Sequence, residues 1–176
     1  MEGTISLGIF DSNDKLVRVL HREAKIDNFA IEENSLSTTW DGKNDAGEDL
    51  PVGKYRARGY MVARFKADDL GTGSTPPNDA SDHVSIKLVM NPLVSDTRSV
   101  VDVAAGVDAA GDFLKTTDGL PLFTVSQIPN LTRVSIRKNG EKSVDVWQED
   151  GSTVKQFRLS NVDKMMAFDC GFFELK

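Results

Sequence analysis

The chain has one cysteine, Cys170, in 176 residues. With no second thiol, an internal disulfide framework is excluded and the redox compartment is left open. Cys170 lies in the run Met165-Met166-Ala167-Phe168-Asp169-Cys170-Gly171-Phe172-Phe173, which reads as a strand carrying a small buried thiol rather than a reactive nucleophile. Long apolar runs are missing too. None approaches the about 20 residues that span a bilayer, so membrane insertion is not expected. No charged-then-apolar leader opens the chain. Instead Thr4-Ile5-Ser6-Leu7-Gly8-Ile9-Phe10 reads as a strand at once, which fits either a cytoplasmic protein or an excerpt trimmed of its leader. A basic excess is also absent: 21 Lys and Arg stand against 27 Asp and Glu, a net charge of −6. Nucleic-acid and anionic-membrane binding need a cationic field to displace counterions, so neither partner is expected.

Histidine is scarce. His21 and His83 are the only two, and neither sits at a zinc-like spacing from a second ligand, so no metal or cofactor is assigned. The acidic run Asp41 to Asp49 invites a comparison with a calcium loop, which wants oxygen ligands at positions one, three and five and Gly at six. Here the third position is Lys43 and the sixth Ala46, so the run reads as a hydrogen-bonded turn. No strand-turn-helix Gly-x-Ser-x-Gly occurs, and no catalytic residue is assigned.

What the chain does have is short runs of Val, Ile, Phe and Thr bounded by Gly, Asn and Asp, with no sustained 3.6-residue apolar period. Strands are expected near 4–10, 15–20, 26–31, 35–40, 53–65, 84–90, 98–104, 112–116, 121–126, 132–138, 143–148, 153–159 and 164–174. The expected fold class is all-β. The first two strands form a hairpin around Asp11-Ser12-Asn13-Asp14, where Asn13 and Asp14 tolerate the positive φ that such a turn needs. In the strand from Lys54, alternation puts Tyr55, Ala57, Gly59, Met61, Ala63 and Phe65 on a buried face. Lys54, Arg56, Arg58, Tyr60, Val62 and Arg64 then fall on an outward one.

Residues 67–82 are rich in Asp, Gly, Ser, Thr and Pro and are expected to form a linker or long surface loop, because so little apolar surface does not offset ordering entropy. The expected organisation is a β-sandwich over 1–66, that linker, and a second β unit over 83–176. In the latter, Ser99-Val100-Val101-Asp102-Val103 leading to Gly111 resembles Ser143-Val144-Asp145-Val146 leading to Gly151. The two glycines are 40 residues apart, the period of a four-stranded propeller blade. A propeller-blade-like unit and a second sandwich both remain open.

The segment Trp40-Asp41-Gly42-Lys43-Asn44-Asp45-Ala46-Gly47-Glu48-Asp49-Leu50-Pro51-Val52-Gly53-Lys54-Tyr55 resembles the signature of the immunoglobulin-like domain of flagellar hook-capping proteins. That pattern runs Trp-Asp-Gly, a polar turn with Gly, then Gly-x-Tyr entering a long strand. Ile9-Phe10-Asp11 followed by Leu16-Val17-Arg18-Val19-Leu20 is similar to the family's first hairpin, with Asp14 where Gly is usual. The likeness covers about residues 4–65 and nothing beyond. It implies an immunoglobulin-like sandwich used for assembly, spacing or recognition, outside the bacterial cytoplasm. The motif residues also make sense as structure alone. Trp40 anchors a strand end, Asp41 caps the turn, Gly42, Gly47 and Gly53 serve reversals, and Tyr55 enters the core with its hydroxyl near the rim.

Arg56, Arg58, Tyr60 and Arg64 form the one expected functional surface. They make a basic and aromatic stripe that is either a solvated face with cross-strand ion pairs or a contact for an acidic protein or anionic glycan. The expected function is a non-enzymatic modular β protein. The alternative is an accessory or truncated part of a larger, carbohydrate-active propeller enzyme, whose C-terminal β unit would self-associate through exposed edges.

Overall fold

The structure, a computed structural model of the chain, describes residues 3–73, 75–89 and 96–176. Residue 74 of the expected linker, residues 1 and 2 of the expected sandwich, and residue 90 at the end of an expected strand lie outside the described residues. The fold is all-β, with 14 strands and two short 3₁₀ turns among the described residues.

An N-terminal sheet is built from β1 (Thr4–Phe10), β2 (Leu16–Lys25), β5 (Gly53–Val62) and β14 (Met166–Leu175), in the order β14-β5-β1-β2 and antiparallel throughout. The β1–β2 hairpin turns as its sequence suggests. Asp14 has φ 61°, and the Asp11 carboxylate accepts the Asn13 and Lys15 backbone N–H groups at 2.8 and 3.0 Å. Chain-distant β14 lies beside β5, with Met166 opposite Met61 and Leu175 opposite Gly53. The first sheet is therefore finished by the C-terminus and not by residues 1–66 alone. Between β2 and β5 lie a 3₁₀ turn (Ile26–Asn28), the small hairpin of β3 (Ala30–Glu32) and β4 (Ser35–Ser37), and the Trp40 loop. This stretch, the flap below, forms a partial second layer over the outer face of the sheet.

Two further four-stranded sheets follow. β7 (His83–Lys87), β8 (Val100–Asp108), β9 (Gly111–Thr116) and β10 (Pro121–Ser126) form one antiparallel meander. β11 (Arg133–Asn139), β12 (Ser143–Glu149) and β13 (Val154–Ser160) form another, and its fourth strand is β6 (Lys66–Thr72), supplied from upstream. The two look-alike stretches of the sequence fall on β8–β9 and β12–β13, equivalent hairpins of the two sheets. The sheets join at one seam, where Ser81 and Ile136 exchange backbone hydrogen bonds of 2.9 and 2.7 Å.

The first part of the expected linker is thus a strand. Residues 66–72 pair with 155–160, and Lys155 reaches Asp69 at 2.9 Å. An edge strand solvated on both faces carries no apolar alternation, so Lys66-Ala67-Asp68-Asp69-Leu70 hides the pairing that its backbone makes.

The core is one large cluster. Ile86, Val101, Val103, Leu114, Leu120 and Leu122 from one sheet meet Ile136, Val144, Val146, Phe157 and Leu159 from the other, closed at one end by Val162 and Met165. Tyr60 and Val62 of β5 join this cluster from the inner face of the N-terminal sheet. A smaller cluster, with Ile5, Leu7, Ile9, Phe29, Tyr55 and Ala57, sits on the outer face. Strand β5 is therefore covered on both sides, which corrects the expectation of one buried and one outward face. Tyr60 and Val62, placed outward by period two, are only 6% and 3% exposed.

Candidate functional site

The expected arginine stripe is taken apart by its surroundings. Arg56 is paired with Asp169 of β14 and lies 4.8 Å from the Phe172 ring. Arg58 sits between Asp14 and Asp118, each at 3.3 Å, with its guanidinium 4.1 Å from the Phe10 ring. Tyr60 is buried, its hydroxyl 3.5 Å from an Arg98 nitrogen. Arg64 lies past the end of β5, exposed and with φ 61°, because the chain bends after Val62 and leaves the plane of the strand. Arg56, Arg58 and Tyr60 share one face of β5, and Arg64 does not join them.

The aromatic side chain that does stand among cations is Phe172, half exposed and flanked by Lys54 at 4.6 Å as well as Arg56. Arg98 is the other residue that strand periodicity gave no reason to notice. Its guanidinium donates to Asp96 at 2.6 Å and to the Phe168 carbonyl at 2.8 Å. The Arg98 hydrogen bond holds the Asp96 carboxyl below its ordinary range, against the opposing effect of burial. Arg56, Arg58, Arg98, Asp96, Thr97 and Asp169 line a polar recess of about 430 Å³. Each of its three guanidiniums already faces a carboxylate, so the recess is an internally compensated ion-pair network.

The motif residues build a corner. The Trp40 indole N–H donates to the Lys43 carbonyl at 2.9 Å, and the Tyr55 hydroxyl donates to the Pro51 carbonyl at 2.7 Å. Asp41 accepts the Lys43 N–H at 3.1 Å. Gly42 and Gly47 adopt φ of 76° and 80°, a region in which a Cβ is strained. Gly53 opens β5. The acidic loop spends its side chains on itself, since Asn44 accepts from Ala46 and Glu48 and Lys43 grips Asp49 at 2.7 Å.

This corner walls a large concavity, a groove of about 930 Å³ between the outer face of the N-terminal sheet and the flap. Ile5, Leu7 and Ile9 form its floor, Phe168, Phe173 and Leu175 one wall, and Phe29, Leu36 and Trp40 the other. Trp40 meets Tyr55 and Phe173 edge-on, at 5.3 and 5.8 Å between ring centroids, the arrangement that aromatic quadrupoles favour. His21 of β2 packs at a tilt against the Phe29 ring, 4.5 Å between centroids, and hydrogen-bonds the Thr38 hydroxyl at 2.8 Å, so it fastens the flap to the sheet. Burial lowers the His21 pKa, which keeps the ring neutral at neutral pH.

Cys170 is exposed at the groove's edge rather than buried as expected, because the chain bulges at Asp169–Phe172. The residue is open to solvent, yet desolvation around the thiol, with the charge of Asp169 second, pushes its pKa up. A thiol so placed is a weak nucleophile. The groove's chemistry is therefore mainly that of apolar contact, with the polar Asn34, Ser37 and Thr38 and one charged residue, Glu174, among its lining. Sequence reasoning missed it because its walls come from residues as far apart as 5 and 175.

No helix among the described residues is long and apolar enough to cross a membrane. Comparison with family models, with curated proteins and with solved structures returns no match.

Proposed function

We propose that this chain is a non-enzymatic recognition and assembly module that captures a partner through the apolar groove on the outer face of its N-terminal sheet. The observation that carries this reading is the groove itself. Concave apolar surfaces of several hundred Å³ are where proteins hold ligands and partner side chains, and this one is ringed by a rigid aromatic corner instead of being closed by a second full sheet. The resemblance of residues 4–65 to the hook-capping immunoglobulin-like domain supports the same reading, and with it a place outside the bacterial cytoplasm. The arginine recess is the weaker candidate, since an acidic protein or anionic glycan would have to displace the carboxylates already in place.

The test uses nile red, an uncharged apolar dye. It is expected to bind saturably at one site. Leu36→Asp, on the groove wall, should weaken it by about tenfold, the loss expected when one large apolar contact is replaced by a charge. Ile31→Asp, on the same hairpin but outside the groove, should leave the affinity unchanged; Ile31 is 68% exposed. Equal effects from the two substitutions would remove the groove from the function.

A further inference from the structure

The flap that overhangs the groove is acidic. Between Ile26 and Leu50 stand Asp27, Glu32, Glu33, Asp41, Asp45, Glu48 and Asp49 against the single basic residue Lys43. Among the described residues, two of these carboxylates have a basic partner: Asp45 faces Arg18 at 3.9 Å and Asp49 faces Lys43 at 2.7 Å. Glu32 accepts from the hydroxyls of Ser35 and Ser37, each at 3.3 Å, and Ser37 lines the groove. That puts the Glu32 charge at the groove's lip, beside Glu33 in the hairpin turn. Across the opening stands Glu174, and no Lys or Arg lines the groove. Although Glu174 lies opposite Lys54 in the strand register, the excess of carboxylates beside an apolar trough creates a negative potential that attracts one kind of partner and repels its opposite.

Resting on the groove reading above, we infer that the partner is a peptide segment of another protein that carries several large apolar side chains flanked by Lys or Arg. Its apolar side chains seat on Ile5, Leu7, Ile9, Trp40 and Phe173, while its cations face Glu32, Glu33 and Glu174. The apolar contacts supply affinity. The acidic lip supplies selection, because an acidic peptide of equal hydrophobicity would bring carboxylate against carboxylate.

Three short peptides test this with the intact chain, leucines alternating with lysine, with serine or with glutamate. Binding is read by Trp40 fluorescence, since Trp147 is only 4% exposed and serves as an internal constant. The expected order is lysine, serine, glutamate, with about tenfold or more between the first and last at low salt. The gap should narrow at high salt. The triple substitution Glu32→Gln, Glu33→Gln, Glu174→Gln should cancel the lysine peptide's advantage and leave the serine peptide's affinity intact. Equal binding of all three peptides, or a lysine advantage that survives the triple substitution, overturns the charge selection while the groove reading stands. Failure of every peptide to perturb Trp40 overturns both.

Discussion

In the large cluster Val144, Val146 and Leu159 retain no exposed surface, whereas over the small cluster Leu36 keeps 39% and Trp40 is only partly buried. Both clusters are built from the same kinds of residue on antiparallel strands, and they share strand β5. They differ in what lies opposite. The large cluster faces two four-stranded sheets, enough backbone to close over every side chain. The small one faces only the flap, with β3 and β4 of three residues each. A closed apolar cluster stabilises; one left open costs hydration that another molecule can relieve.

The comparison implies unequal responses to mutation, and the largest is in the closed core. Leu159→Ala should cost about 2–5 kcal/mol in urea unfolding, because neighbours packed on all sides do not collapse into the space left. A cost below about 1 kcal/mol would mean that the core is not closed there. Next comes the ion pair beneath β5. Arg98→Met removes the donors to Asp96, whose side chain is only 4% exposed, and to the Phe168 carbonyl. The expected loss is about 1–3 kcal/mol, that of leaving a buried acceptor unsatisfied. The double variant Arg98→Met, Asp96→Leu should recover part of it, and an additive double variant would contradict the pairing.

The elements legible in the sequence were those whose signals are local. Trp40 bonds to Lys43 and Tyr55 to Pro51, within four residues each, so the corner could be read from the motif and its turn residues. Most strands were legible by period two and by bounding Gly, Asn and Asp. Illegible were the pairings that depend on distant chain. Nothing in Lys66-Ala67-Asp68-Asp69 announces β13, and nothing in Met165 to Leu175 announces β5. The misplacement of Tyr60 has the same origin: alternation says that two faces differ, and only the third dimension says that both are covered. The ion pairs of the stripe were illegible because Asp169 and Asp118 lie 113 and 60 residues away from Arg56 and Arg58.

A smaller effect separates the clusters by pH. Asp112 of β9 is 1% exposed inside the closed core, accepting from Ser126 at 2.6 Å and Gln148 at 2.8 Å, with its second oxygen unpaired. Burial outweighs those hydrogen bonds and raises its pKa. The native state therefore binds this proton more tightly than the unfolded chain does. Stability from the protonated group is fully present below the unfolded carboxylate range and is lost as pH rises through the native value. Asp112→Asn, neutral at every pH, should match the wild type in acid and exceed it in stability at neutral pH. A difference in urea midpoint that does not change with pH would contradict this.

The smallest expected effect is the one that most sharpens the comparison. Leu36→Ala removes as many atoms as Leu159→Ala, yet Leu36 sits on a flap that solvent already wets, so its stability cost should stay within about 0.5 kcal/mol. Its consequence should appear in accessibility instead. Acrylamide reaches Trp40 through the groove and does not reach Trp147, so quenching of the wild type should resolve one accessible and one protected indole. Leu36→Ala should steepen the accessible component and leave the protected one alone. A Leu36→Ala variant destabilised as much as Leu159→Ala would show that the flap is packed shut in solution, and the small cluster would then be a second closed core with no groove to fill.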